Sequence, residues 1–148
     1  VIVRQAQADD ISRLAEIAAR SYRAAFATIL EPDAVASRDA AYFAERFTSA
    51  WERMLVVARQ DDALGFLLMT DGHIDMLFMD PAAIGQGGGA QLLEAAEARG
   101  ARSLECFRDN HGARRFYERH GWRVTRMYER EFAGTMRSFV LYGKGAAV

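Results

Sequence analysis

Met79-Asp80-Pro81-Ala82-Ala83-Ile84-Gly85-Gln86-Gly87-Gly88-Gly89-Ala90-Gln91-Leu92-Leu93 is the stretch on which the reading of this chain turns. A largely apolar run, Ile74 to Met79, leads into it and stops at a proline-marked turn. Four glycines stand at 85, 87, 88 and 89, after which Ala90, Leu92, Leu93 and Ala96 recur at helical spacing. Glycines at a strand-to-helix turn let bare backbone N–H groups face open space. The dipole of the following helix adds positive potential at the same place. Together they suit an anion, and in particular the diphosphate of a nucleotide-like cofactor.

Taken alone, the glycine run is ambiguous. Gly85-x-Gly87-x-x-Ala90 satisfies the loose dinucleotide fingerprint, and Glu105 stands where a ribose-binding acid would be sought. Against a nucleotide-binding oxidoreductase of Rossmann type, Asp80 to Ile84 separates the apolar run from the first glycine. Too little sequence follows for a second mononucleotide half. A Walker A loop is excluded because no Gly-Lys-Ser/Thr follows. A flexible turn without a ligand stays open at this point.

A second motif lies downstream: Asn110, Ala113, Phe116-Tyr117-Glu118 and Gly121-Trp122. Here the chain resembles the GCN5-related N-acetyltransferase (GNAT) superfamily, in its small bacterial-type form. The family's first signature reads apolar-Asp-Pro-x-x-Arg/Gln-Gly-x-Gly-x-Gly-x-x-Leu-Leu, which Met79 to Leu93 follows. Its later signature, Asn-x-x-Ala-x-x-Phe-Tyr-Glu-x-x-Gly-Phe, is matched in register from Asn110 to Trp122. The clear resemblance runs from about 65 to 125. Arg4-x-Ala6-x-x-Asp9 before an amphipathic helix is similar, more weakly, to the family's opening. Two positions depart from the pattern. Ile84 stands where the family has Arg or Gln, which removes a side-chain contact near the diphosphate. Gly88 stands where an Ile or Val packs under the helix.

Composition fits an ordinary globular protein. The chain has 148 residues, 51% of them hydrophobic and 26% charged, and reads as one domain, 1–148. A net charge of −1 makes no electrostatic case for nucleic acid or an anionic membrane. Lys144 is the sole lysine, and the arginines are scattered, with Arg114-Arg115 the only adjacent pair. Cys106 is the single cysteine, so no internal disulfide or cysteine zinc cluster forms. Within an apolar strand pattern it reads as a structural thiol. His73, His111 and His120 lack ligand spacing, and no metal is expected. No stretch reads as a signal peptide or reaches membrane-spanning length, so a cytoplasmic location is the expectation.

Periodicity predicts a strand at Ile2–Gln5 and a helix capped by Asp9 or Asp10 that carries Ile11, Leu14, Ala15, Ala18 and Tyr22 on one face. After a loop at Glu31-Pro32-Asp33 a second helix is expected over 35–50. Strands follow at 55–59, 64–69 and 74–79, then a helix over 86–99. A strand at 103–107, a helix at 111–120 and strands at 122–131 and 137–142 complete the pattern. The fold class is α+β. The resemblance implies a mixed, mostly antiparallel sheet of about seven strands with about four helices and splayed central strands.

Acetyl transfer needs a grip on the cofactor, a route for the amine proton and a proton for the departing sulfur. The resemblance implies acetyl-CoA as co-substrate and direct attack by a primary amine, of a small molecule or a peptide N-terminus. Gly85, Gln86, Gly87, Gly88, Gly89 and Ala90 would hold the diphosphate. Leu77, Phe78 and Met79 would offer backbone groups to the pantetheine arm as an added strand does, and an N–H to the oxyanion. Asn110 resembles the family asparagine that touches the cofactor arm, and equally reads as a helix N-cap. Tyr117 is the candidate general acid. Glu105, at a position where some members place a base, is the candidate general base. It could instead point to solvent or pair with an arginine; Asp75 is the other candidate base and His73 a third, and a water chain to bulk solvent would need no single base. Tyr22, Phe26, Glu31, Tyr42 and Glu129 to Arg137 are nominated to shape the acceptor site. An acyl-CoA-binding sensor on the same scaffold is the non-enzyme alternative, and a second copy of the chain is left open as a partner.

Overall fold

The computed structural model describes residues 1–145. Seven strands form one sheet in the order β1-β2-β3-β4-β5-β7-β6. In chain order the main elements are β1 (Ile2–Gln5), α1 (Ile11–Phe26), α2 (Pro32–Ser37), α3 (Ala40–Thr48), β2 (Met54–Arg59), β3 (Asp62–Thr70) and β4 (His73–Met79). Then come α4 (Gly88–Ala98), β5 (Ser103–Phe107), α5 (His111–Arg119), β6 (Arg123–Phe132) and β7 (Thr135–Gly143). Every pairing is antiparallel except β4 with β5. A doubly wound parallel sheet is thereby excluded, and with it the Rossmann reading.

Two-residue alternation divides the sheet between two cores. Met54, Val56 and Ala58 of β2, with Phe66 and Leu68 of β3, face α1 and α3 and meet Leu14, Ile17, Ala18, Phe43 and Phe47. Leu55, Val57, Leu64 and Leu67 face the other way and meet Leu92, Leu93 and Ala96 of α4 and Tyr117 of α5. A helix-rich layer thus covers each face. The apolar stripe expected on α1 is the one buried: Leu14, Ala15, Ala18 and Tyr22 are all nearly inaccessible.

One expected element is corrected. The helix over 35–50 is two helices, because Arg38 leaves helical geometry (φ −95°, ψ 63°) and Asp39 caps a new start by accepting the Tyr42 N–H (2.9 Å). This makes five α-helices where about four were expected. The last hairpin turns through Ala133 and Gly134, both at positive φ (53° and 81°), the geometry that two-residue hairpin loops favour.

The central strands part where the sheet changes from antiparallel to parallel. Leu68 pairs with Met76 and Met69 with Ile74, so Asp75 is the extra residue of a β-bulge. The parallel ladder consists only of His73↔Ser103 and Ile74↔Leu104. Beyond it, the rest of β4 and β5 diverge and leave a gap.

Candidate active site

Two cavities meet at this gap. One, of about 670 Å³, runs from the glycine turn to β4. It is lined by Gly85, Gly87, Gly88, Gly89 and Ala90, by Leu77, Phe78 and Met79, and by residues of α1 and α5. The other, of about 350 Å³, lies on the α1 and hairpin side. Leu77, Phe78, Asn110, Ala113 and Tyr117 line both, so these residues stand at the junction.

The backbone of β4 presents its groups to the gap by simple alternation. Asp80 N–H donates to Leu64 C=O (2.7 Å), so the polar groups of Phe78 point toward β3 and those of Leu77 and Met79 toward the opening. The Met79 carbonyl accepts from the Ser21 hydroxyl of α1 (2.9 Å). The remaining groups of Leu77 and Met79 form an edge that an extended ligand could join.

The glycine turn is built by two left-handed residues. Gly85 and Gly87 have φ of 89° and 84°, and a Cβ at either would meet nothing within 4 Å. Glycine is needed there for the backbone angle, not for space. Gly87 is also the N-cap of α4, so the first turn of that helix leaves its N–H groups without intrahelical partners. Asp80 fastens the turn from below. Its buried carboxylate accepts from Arg13 (2.8 Å), Arg20 (3.2 Å) and the Ala82 N–H (3.1 Å). Burial alone would raise its pKa, but these bonds and charges outweigh it and hold Asp80 below the usual carboxylate range.

The two departures from the family pattern have different outcomes. A Cβ at Gly88 would lie 2.6 Å from Met79 Cε, and one at Gly65 would lie 2.4 Å from Met79 Sδ. The Met79 side chain therefore occupies the volume under α4 that a branched residue at 88 would otherwise fill. Ile84 has no such compensation and is 67% exposed. Gln86 is not among the lining residues; its side chain accepts from Arg59 (2.9 Å).

At the junction Tyr117 is only 8% exposed. Burial, with smaller contributions from Cys106 and Tyr142, pushes its phenol up. The same burial pushes the Cys106 thiol up to about 12, which agrees with a structural thiol. Asn110 caps α5 by accepting the Ala113 N–H (3.3 Å) while it lines both cavities. Phe116 is half-buried, packed on His120 and against the core, and it lines the larger cavity.

Glu105 lines the smaller cavity. It accepts from Arg130 Nη2 (2.5 Å) and Nε (3.0 Å), and from the Tyr128 hydroxyl. Burial would raise its pKa, but the Arg130 and Tyr128 bonds prevail and hold it low. Asp75 accepts from Thr70 (2.7 Å) and His73 bonds Ser103 (2.7 Å); both line the same cavity. Of the acceptor-site residues expected from sequence, Tyr22, Phe26, Arg130 and Phe132 line it. Glu31 instead pairs with Arg137 (2.5 Å), and Tyr42 is 40% exposed, outside the lining. Sequence reading missed Ser21, Ala24 and Ala25 of α1, Arg119 of α5 with His120 just after it, and Arg46 of α3. Helical spacing places α1 on the sheet but does not say which of its residues overlook a gap between distant strands.

Among the described residues no three potential ligands cluster to hold a metal, and no helix is long and apolar enough to cross a membrane.

Comparison with known proteins agrees with this geometry. The chain is 38% identical over 72 residues to the peptidyl-lysine N-acetyltransferase YjaB of Salmonella typhimurium, a match that covers 48% of this chain and only 50% of that relative. A GCN5-related N-acetyltransferase structure from Rhodopseudomonas palustris superposes with a TM-score of 0.76 at 26% identity, over 98% of this chain and 95% of that one. The PaiA N-acetyltransferase of Thermoplasma acidophilum, solved with coenzyme A, superposes with a TM-score of 0.75 at 18% identity, over 97% of this chain and 98% of that one. The family model described as "Acetyltransferase (GNAT) domain" matches residues 18–138. With the bulged β4, the parted β4–β5 pair and the glycine turn before α4, that match establishes that the chain belongs to the GNAT acetyltransferase family.

Proposed function

We propose that this protein transfers the acetyl group of acetyl-CoA to a primary amine by direct attack. The observation that carries this reading is that two cavities share Leu77, Phe78, Asn110, Ala113 and Tyr117 as walls beside the β4–β5 gap. One side offers unpartnered helix amides and a strand edge, the other an aromatic and charged chamber, and Tyr117 stands where they meet. That a protein of the same fold was solved with coenzyme A supports a cofactor of that kind, and the glycine turn in its lining assigns the larger cavity to it. Gly85 to Ala90 would surround the diphosphate with N–H groups. Leu77 and Met79 would pair with the pantetheine arm, and a β4 N–H would face the oxygen of the acetyl carbonyl as it gains charge.

The amine nitrogen forms its bond to the acetyl carbon as the carbon–sulfur bond breaks. The sulfur leaves as thiolate and takes the Tyr117 hydroxyl proton. Glu105 is assigned the amine proton: three hydrogen bonds use three of its roughly four acceptor positions, which leaves one for the amine or a linking water. The test is an amine panel with release of free CoA thiol as the signal, alongside calorimetric titration with acetyl-CoA. Saturable acetyl-CoA binding and amine-dependent thiol release are expected. Binding without release across the panel would replace transfer with the sensor reading. Absence of binding would remove both.

A further inference from the structure

The smaller cavity has one charged wall group that the fold does not answer. Glu105 is matched by Arg130. Asp75 takes the Thr70 hydroxyl, which itself accepts from Arg53 Nε (3.2 Å), so this carboxylate has a cation one hydroxyl away. Arg46 of α3 lines the cavity and forms no ion pair with any described residue. Arg38, which is outside the lining, likewise forms no ion pair with any described residue. Arg38 lies over the rings of Tyr42 (5.5 Å) and Phe132 (5.0 Å), donates to Ala34 C=O (3.4 Å) and Ser37 Oγ (3.2 Å), and is close enough to bond the Tyr22 hydroxyl as well. Both guanidinia act on Tyr22: burial pushes that phenol up, and the charges of Arg38 and Arg46 pull against it. The α3 end of the cavity thus has the Arg46 guanidinium and the Tyr22 phenol in its wall, and no carboxylate bonded to Arg46 among the described residues.

The size of the chamber limits what can use this positive end. About 350 Å³ is near the lower bound for small-molecule sites. Arg137 of β7 ties the hairpin to the α1–α2 connection through Glu31 (2.5 Å) and Ile29 C=O (3.4 Å). Tyr22, Phe26, Phe78, Phe107 and Phe139 give the chamber an apolar floor. That floor favours a short carbon chain between an amine and a charged end over a strongly hydrated polycation.

We propose that the acceptor is a small amine bearing a carboxylate, a free amino acid or an amino-acid-like compound. Arg46 and the Tyr22 hydroxyl hold the carboxylate while the amine reaches the β4–β5 gap. This rests on the acetyl-transfer reading above and narrows its substrate. Arg46 is then a specificity residue, since a planar guanidinium can hold a carboxylate through two parallel bonds.

The experiment uses matched pairs, each amino acid beside its own amide, with thiol release measured for the intact protein. For the preferred acceptor, kcat/KM for the acid should exceed that for the amide by roughly ten- to a hundredfold, the range for one charge-assisted interaction. Arg46→Gln should bring that ratio close to one, and Arg46→Lys should restore part of it. A ratio is unmoved by general loss of fold or of cofactor grip. Equal use of acid and amide, a preference that survives Arg46→Gln, or faster turnover of a lysine within a peptide would overturn the inference and leave acetyl transfer standing. No thiol release from either member of any pair, with acetyl-CoA bound, would overturn both.

Discussion

Tyr117 combines access to both cavities with a raised phenol pKa, and the second property bears on whether it can act as an acid. A phenol above its ordinary value near 10 stays protonated across the physiological range, so the donor form is always present. An ordinary thiolate would be a weak acceptor from so weak an acid. The neighbouring Cys106 shows what these surroundings do to sulfur, since burial pushes its thiol up to about 12. A CoA sulfur buried in the same gap would gain basicity in the same way, which brings donor and acceptor closer together. Tyr117→Phe should lower kcat by roughly 10² to 10⁴ with acetyl-CoA affinity within about twofold of wild type. Single-turnover rates and calorimetry check the two halves. Unchanged single-turnover kinetics would assign the ring to packing beside Phe116 and Tyr142.

At the scale of the element, the glycine turn separates two requirements that its sequence merges. Gly87 needs its positive φ and has free space around it; Gly89 lies in α4, where an added Cβ would make ordinary contact with Phe116 Cζ at 3.5 Å. Gly87→Ala imposes a left-handed cost of about 1–2 kcal/mol on a non-glycine residue. Because that cost falls on the conformation that aims the amides, acetyl-CoA affinity should fall roughly 5–30-fold. Gly89→Ala should leave affinity within about twofold and raise helix stability by up to ~1 kcal/mol. Thermal melts and titrations on both variants decide the point. Similar losses of affinity in the two would mean that crowding, not backbone angle, makes the turn glycine-rich.

Across the whole molecule, carboxylates hold distant segments together. Asp80 joins the glycine turn to Arg13 and Arg20 of α1, Asp10 joins the start of α1 to Arg4 of β1, and Glu105 joins β5 to Arg130 of β6. All three carboxylates titrate below their ordinary values. For Asp10 the Arg4 bond is the leading cause, whereas for Asp80 and Glu105 hydrogen bonds overcome burial. A carboxylate depressed in the folded state stabilises above its unfolded pKa, and that contribution is lost as pH falls through the folded one. Stability should therefore hold at neutral pH and decline as pH drops below the ordinary values of 3.8 for Asp and 4.5 for Glu. Asp80→Asn should cost about 2 kcal/mol at pH 7, a Tm lower by roughly 4–8 °C for a chain of this size. The gap between variant and wild type should narrow near pH 3. Parallel melts over pH 3–7 measure it, and a gap that stays constant would show that Asp80 stabilises by shape, not charge.

The local pattern of the chain settled whatever depends on neighbours in sequence. Two-residue alternation and helical spacing placed every strand and the main helices to within a few residues, since those periods follow from backbone geometry alone. The order of Asp80, Pro81 and the glycines placed the amide-rich turn at the head of α4, and the segment from Asn110 to Trp122 set Asn110 at the cap of α5 and Tyr117 within it. Even there, one break was missed: Asp39 is of a type that starts helices, yet within an otherwise helical pattern it did not mark the separation of α2 from α3. Only the tertiary structure decided how these pieces face one another. The bulge at Asp75 and the two-pair ladder from β4 to β5 depend on partners far along the chain, so periodicity carried no sign of the gap and only the family resemblance implied it. Met79 fills the space beneath Gly88 because Gly65, across the sheet, also lacks a side chain. Glu105 was a carboxylate with several possible fates, and its capture by Arg130 and Tyr128 was decided by the hairpin folding back over β5. Arg46 was one arginine among many until α3 packed against α1 and set it at a cavity wall without a carboxylate of its own. Periodicity is a property of the covalent chain, whereas the pairing of a charge depends on every element that packs around it.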